Sequence, residues 1–206
     1  MKNLLKIFLM SAVIAVSASA ADNKILVTYF TYGENAALPA GVDASASASI
    51  QYLGDKITGN TGLLANMIRN NTGGDIVPIL TEEKYPGDYN ATINQGRAEN
   101  NAKARPKLIS SIENLDEYDT IFLGFPNWWY DMPMAVYSFL DEYDMSGKTI
   151  VPFNTSGGSG FSDAINTIRE AEPGAKVLDG FTVGANRAAG AEENIKSWLK
   201  DLGYIE

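Results

Sequence analysis

A three-layer α/β domain, with a parallel sheet of five strands and helices on both faces, is what this sequence predicts. Three observations lead there. Short β-branched and aromatic runs alternate with helical stretches five times along the chain. The first run, Lys24–Phe30 (KILVTYF), is almost continuously apolar, as a strand covered on both faces must be. With 206 residues and 45% hydrophobic content, the chain suits one domain with a substantial core. Right-handed crossovers leave few topologies for such a sheet. No internal repeat is visible.

Residues 1–20 stand apart from that domain. Lys2 and Lys6 form a basic start, Leu4 to Val16 is an apolar run, and Ser17-Ala18-Ser19-Ala20 ends in a small-x-small pattern. This is the layout of a secretory signal peptide and is too short for a stable membrane span. The expected division is therefore a signal peptide over 1–20 and one domain over 21–206, exported to the periplasm or secreted. No twin arginine precedes the apolar run, so export unfolded by the general route is expected.

Strand one is followed by a long inserted loop, residues 31–57. It includes the low-complexity stretch Asp43-Ala44-Ser45-Ala46-Ser47-Ala48-Ser49, read as an exposed loop. Ile50–Ile57 (IQYLGDKI) suits a small hairpin around Gly54-Asp55. Next comes Thr58-Gly59-Asn60-Thr61-Gly62, directly before Leu63, Leu64, Met67 and Ile68 at helical spacing. This helix is closed by Thr72-Gly73-Gly74. Asp75–Leu80 is the second strand, placed at an edge by Pro78. Thr81–Ala91 reads as a turn-rich loop. Asn94–Ile112 reads as a polar helix interrupted at Pro106. Thr120–Phe125 is the third strand, Pro126–Pro133 (PNWWYDMP) a loop and Met134–Leu140 a helix. Thr149–Asn154 is the fourth strand, Thr155–Gly160 (TSGGSG) a glycine-rich turn and Ser162–Ala171 a helix. Lys176–Val183 supplies the fifth strand and Ala191–Leu202 the last helix.

Composition narrows the chemistry. The formal net charge of −9 becomes −11 once Lys2 and Lys6 are cleaved away. No basic patch is visible, so nucleic acid is not an expected partner. The chain has no Cys, hence no disulfide or thiolate chemistry, and its stability must come from its core. It also has no His, which removes the Ser–His–Asp and Cys–His triads and the usual zinc ligand sets. The adjacent pairs Glu82-Glu83, Asp141-Glu142 and Glu192-Glu193 suit solvated faces better than carboxylate catalysis. What remains is carboxylate, hydroxyl or lysine chemistry, or a bound cofactor.

In a sheet of this kind ligands bind outside the carboxyl ends of the strands. Three loops there carry suitable residues. A helix start at Thr58–Gly62 offers backbone N–H groups and the positive dipole end to a phosphate, with two threonine hydroxyls and no charge. A plain glycine-containing N-cap fits the same residues. Trp128, Trp129 and Tyr130 make either an aromatic platform or loop-base packing. Thr155-Ser156-Gly157-Gly158-Ser159-Gly160 offers either a row of backbone donors or a flexible connection. Taken together, the three describe a site for a flat heteroaromatic phosphate.

With these stretches the chain resembles the flavodoxin-like family, above all in Ile25–Thr31, Thr58-Gly59-Asn60-Thr61, Tyr118–Pro133 and Gly147–Gly160. The Pro-x-Trp-Trp loop is most similar to an exported or reductase-like subgroup. The resemblance implies strand order 2-1-3-4-5 and FMN as cofactor. It also implies that Thr31, Thr58, Gly59, Asn60 and Thr61 hold the phosphate. Pro126, Asn127, Trp128 and Trp129 would flank the isoalloxazine, and Thr155, Ser156, Gly157 and Gly158 would meet its other edge. The sequence departs from the family where the insertion separates Thr31 from Thr58, which also puts Tyr32 or Glu34 over the pocket.

The function expected is electron transfer, or reduction of a small acceptor such as a quinone, with FMN supplying the redox chemistry. No GxGxxG follows a strand, so no separate nicotinamide unit is indicated. The acidic chain disfavours adding negative charge to a flavin, which lowers its potential. The partner would be a redox protein or a small acceptor. The alternative is a flavin-free binding module that uses the same pocket for another phosphorylated or aromatic ligand.

Overall fold

The computed structural model describes residues 23–38 and 50–206. The proposed signal peptide and the 43–49 stretch lie outside the described residues. The strands are β1 (Ile25–Tyr29), β2 (Ile50–Leu53), β3 (Lys56–Gly59), β4 (Asp75–Pro78), β5 (Thr120–Pro126), β6 (Thr149–Ser156), β7 (Lys176–Val177) and β8 (Phe181–Gly184). The helices are α1 (Tyr32–Asn35), α2 (Asn60–Thr72), α3 (Tyr89–Ala102), α4 (Met134–Glu142), α5 (Ala164–Ala171) and α6 (Glu192–Asp201). The main sheet runs β4-β1-β5-β6-β7, with β8 also paired to β6, and all pairings are parallel. Counting β7 and β8 as one interrupted strand, this is the expected order 2-1-3-4-5.

Alternation along the central strands divides the core in two. Leu26, Ile121, Leu123 and Ile150 pack with Phe139 and Leu140 of α4 and Ile168 of α5. Val27, Phe122, Val151 and Phe153 pack on the opposite face with Leu64 and Ile68 of α2 and Ile195 and Leu199 of α6. Every residue of β1 is buried, so the continuous apolar run reflects cover on both sides.

Four expectations need correction. The polar helix begins at Tyr89, because the Asp88 carboxylate caps Ala91 N–H at 2.8 Å. It ends at Ala102, ahead of Pro106. Residues 107–109 are extended instead, pairing with the chain after β4 through Glu82 N to Lys107 O (2.8 Å) and Ile109 N to Leu80 O (2.9 Å). The glycine-rich turn is shorter than expected, since Thr155 and Ser156 continue β6.

The fifth strand is split. Ile150 pairs with Val177, but Phe153 pairs with Phe181, so one extra residue is accommodated between β7 and β8. Pro152 explains the break. Leu178 N donates to Ile150 O at 2.9 Å, which puts the even-numbered residues of β6 on the β7 side, and Pro152 has no N–H to continue that ladder. Gly180 crosses at this point, where a Cβ would meet Pro152 O at 2.4 Å.

Candidate functional site

The ends of β1, β5, β6 and β8 converge on a cleft of about 550 Å³. Its walls come from Tyr32 after β1, Asn60 at the start of α2, Pro126–Tyr130 at and beyond the end of β5, Thr155–Ser159 at and beyond the end of β6, and Ala185 after β8. Tyr89, Thr92 and Ile93 of α3 close one side. Among the described residues that line it there is no charged side chain. The cleft can therefore take a flat, largely apolar molecule with a few polar edges.

The aromatic loop is a tight turn. Trp128 and Asp131 exchange both backbone hydrogen bonds, at 2.9 and 3.0 Å, while Trp129 and Tyr130 sit between them at φ 57° and 62°. Two successive positive φ values define a type I′ hairpin turn, which ordinarily favours Asn-Gly. Bulky aromatics here store strain, as ligand-clamping segments often do. The three rings then diverge. Trp128 is keyed into the core, edge-on to Phe30 (5.4 Å) and Tyr85 (5.2 Å), with one side left on the cleft. Trp129 donates its Nε1–H to Ile93 O at 3.2 Å and lies under the Arg97 guanidinium, 3.9 Å from the ring centre. Tyr130 is 75% exposed at the cleft mouth, as is Tyr89 at 62%.

Helix α3 is the frame for this turn. Gly96 allows Trp128 to lie close, since a Cβ there would be 3.2 Å from the indole. Asn100 donates to Asp131 Oδ2 (3.1 Å), and Tyr137 OH donates to Asp131 Oδ1 (2.7 Å). Burial, and then that bond, push the Tyr137 phenol above its ordinary pKa.

The glycine turn opposite is more ordered than a flexible connection. The Ser156 hydroxyl accepts from Gly160 N (2.9 Å) and Gly158 N (3.3 Å). Asn127 and Asn154 both donate to Gly160 O, at 3.0 and 2.8 Å. Two of the N–H groups expected to face a ligand are thus engaged inside the turn. Gly158, at φ 138°, is where glycine is required.

The expected phosphate residues fall into two groups. Asn60 reaches the cleft wall, and Thr61 lies just behind it, its hydroxyl 2.9 Å from that of the lining residue Thr155. Gly59 is the N-cap residue of α2, and no side chain caps that helix start. Thr31 and Thr58 stand apart from the cleft. The Thr31 carbonyl accepts from Asn35 Nδ2 at 3.0 Å, and the Thr58 hydroxyl donates to Glu34 Oε1 at 2.7 Å. Both contacts come from the insertion. Buried Asn35 also donates to Ile79 O and accepts from Thr81 N, fastening α1 beside β4. Of the two insertion residues weighed for a place over the pocket, Tyr32 lines it, whereas Glu34 is not among its walls and accepts from the Thr58 hydroxyl.

Sequence reasoning missed Tyr89, Thr92 and Ile93, which carry no ligand-like signal and face the cleft because α3 packs on the turn. Tyr130 was visible in the Trp-Trp-Tyr run. The paired carboxylates are on the surface: Glu82 pairs with Lys107, Asp141 with Arg105 and Glu193 with Lys196. Among the described residues there is no cluster of three metal-ligating side chains, and no helix is long and apolar enough to cross a membrane.

Fold and cleft together define a doubly wound α/β domain that takes its ligand at the carboxyl ends of its strands. Residues 52–202 match the family model described as Flavodoxin, and the chain belongs to that family. Flavodoxin 1 of Shigella flexneri is 28% identical over 131 residues, 59% of this chain and 60% of that protein. Flavodoxin 1 of Escherichia coli K12 is 27% identical over 121 residues, 55% of this chain and 54% of that protein. The chain thus spans between about half and three fifths of the length of these relatives. A structure described as a flavoprotein from Bacteroides eggerthii is 28% identical, with a TM-score of 0.66 over 87% of this chain and 98% of that one. A flavoprotein from Lactobacillus acidophilus, solved with FMN, shares the fold at 16% identity and a TM-score of 0.57, over 83% of this chain and 99% of that one.

Proposed function

We propose that this chain is an FMN-dependent electron-transfer protein of an exported or reductase-like type. The observation that carries this reading is the cleft itself. A strained aromatic turn, a glycine turn and an uncapped helix start face one uncharged cavity at the switch point of the sheet. Those residues fit the group. Asn60, Thr61 and Thr155 would receive the phosphate at the positive end of α2. Tyr130 and the cleft side of Trp128 would meet one ring face, and the 157–159 turn the other edge.

FMN, when bound, supplies one- and two-electron redox chemistry that a chain without Cys or His lacks. The residues of the chain bind it, orient it and shut water from the buried face of its ring. The uncharged lining and the open tyrosine rim favour hand-over to a neutral acceptor of the quinone class or to a docked redox protein. Export follows from the layout of residues 1–20.

Purified protein should be yellow, or apoprotein should take up added FMN with quenched flavin fluorescence. Turnover with a nicotinamide and quinones then separates a reductase from a carrier. Colourless protein that refuses FMN at every pH removes the reading.

A further inference from the structure

We infer that Glu34 sets how strongly the cleft favours phosphorylated flavin over riboflavin: through Thr58 its carboxyl shares the α2 N-terminus with the FMN phosphate, so FMN binds with uptake of a proton at Glu34. This rests on the reading of the cleft as an FMN site.

The geometry is compact. Thr58 precedes Gly59, the N-cap residue of α2, and its hydroxyl lies against the first turn of that helix: a Cβ added to Gly62 would lie 1.9 Å from that oxygen. This hydroxyl donates to Glu34 Oε1 at 2.7 Å, and Tyr29 OH donates to the same oxygen at 2.9 Å. Glu34 Oε2 is buried with no hydrogen-bond partner among the described residues. Backbone contact fixes the arrangement, since a Cβ on Gly33 would be 2.1 Å from Thr58 O. One oxygen thus has two donors and the other has none, an arrangement better suited to a carboxylic acid than to a carboxylate.

The groups around Glu34 do not neutralise it fully. Tyr29 of β1 is a neutral donor whose own pKa is pushed well up by burial and by Glu34. Lys84, in the segment after β4, is the nearby cation, but its Nζ donates to the Glu34 backbone carbonyl at 2.6 Å. Thr58 of β3 and Gly62 of α2 are uncharged, and Tyr32 on α1 itself turns its hydroxyl to Pro86 O. Burial raises the Glu34 carboxyl above its ordinary value, opposed by the Thr58 and Tyr29 hydrogen bonds and by Lys84.

A phosphate arriving at the same helix start adds negative charge and raises that carboxyl further. FMN affinity then falls as pH rises through the Glu34 pKa of the free protein. Riboflavin brings no phosphate and escapes the effect.

The test is fluorescence titration of apoprotein with FMN and with riboflavin from pH 5 to 8, for wild type and Glu34→Gln. The phosphate's own second ionisation, near pH 6, occurs with both proteins, so their ratio isolates Glu34. At pH 8 the variant should bind FMN about tenfold more tightly than wild type, which corresponds to one unit of pKa coupling. The ratio should shrink toward one as pH is lowered, and riboflavin should show no such trend. A constant FMN ratio, or a riboflavin ratio that moves in parallel, overturns the role of Glu34 and leaves the FMN site standing. Failure of wild type to take up either flavin overturns the FMN site itself. Calorimetry of wild type across the same pH range, in buffers of different ionisation heat, gives a second measure that needs no variant. Proton uptake with FMN but not riboflavin is expected, and equal uptake overturns the inference.

Discussion

Tyr130 is held at φ 62° with three quarters of its surface in water. A left-handed backbone costs a non-glycine residue about 1–2 kcal/mol, and little burial compensates here. Tyr130→Gly should therefore stabilise the apoprotein by about 0.5–1 kcal/mol after the entropy of the unfolded glycine is counted. The same change should weaken flavin binding several-fold by removing the ring at the cleft mouth. A thermal melt paired with an FMN titration checks both, and a less stable variant would contradict the strain. Glu34 gives a pH prediction at the same scale. Its folded pKa is raised, so the stability of the neutral form is complete below the unfolded value, about 4.3, and fades as pH climbs through the folded one. The melting temperature of Glu34→Gln should accordingly pull ahead of wild type as pH rises above about 4.3. Neither residue could be weighed this way from sequence. A φ value and a hydrogen bond across 24 residues, from Glu34 to Thr58, are properties of the folded chain.

Elements were far more legible. The α2 boundaries follow from Gly59 before it and Gly73 after it, at φ 72°, because the signals at its ends lie within the segment itself. Pro78 marked β4 as an edge strand for an equally local reason, and it pairs with β1 alone. The errors came where a neighbour decides. Residues 107–109 are extended because Leu80 and Glu82 offer them backbone partners, and β7 and β8 separate because of Pro152 on the next strand. Local patterns cannot register either cause. The β5–β6 contact yields a further test. A Cβ on Gly124 would fall 2.2 Å from Phe153 Cζ, inside a core where Phe153 is fully buried. Gly124→Ala should cost about 2–3 kcal/mol in urea denaturation through overpacking. Adding Phe153→Leu should recover part of that loss; if it does not, the clash is misplaced.

At the level of the whole molecule, binding and stability are linked. A ligand that occupies only the folded state adds about 2.7 kcal/mol at a hundredfold excess over its Kd. FMN should thus raise the melting temperature of the apoprotein in a concentration-dependent way, whereas NAD or ATP at equal concentration should not. A flat response to FMN would mean that the cleft serves something else. The net charge of −9 brings a second expectation. Electron transfer to a basic protein partner should slow as salt is added, while reduction of a neutral acceptor should not change.

Pro78 in the edge strand β4 and Pro152 in β6, beside the last strand, have a consequence for life at high concentration. Ile79 N reaches inward to Tyr29 O, so Pro78 next to it turns its missing donor outward, and Pro152 interrupts the last strand at the far side. Neither border presents an unbroken row of donors and acceptors for a stranger's strand to copy. A population of these molecules waiting for cofactor is therefore ill-suited to seed fibrils, and the brake is written into the backbone rather than into its charge.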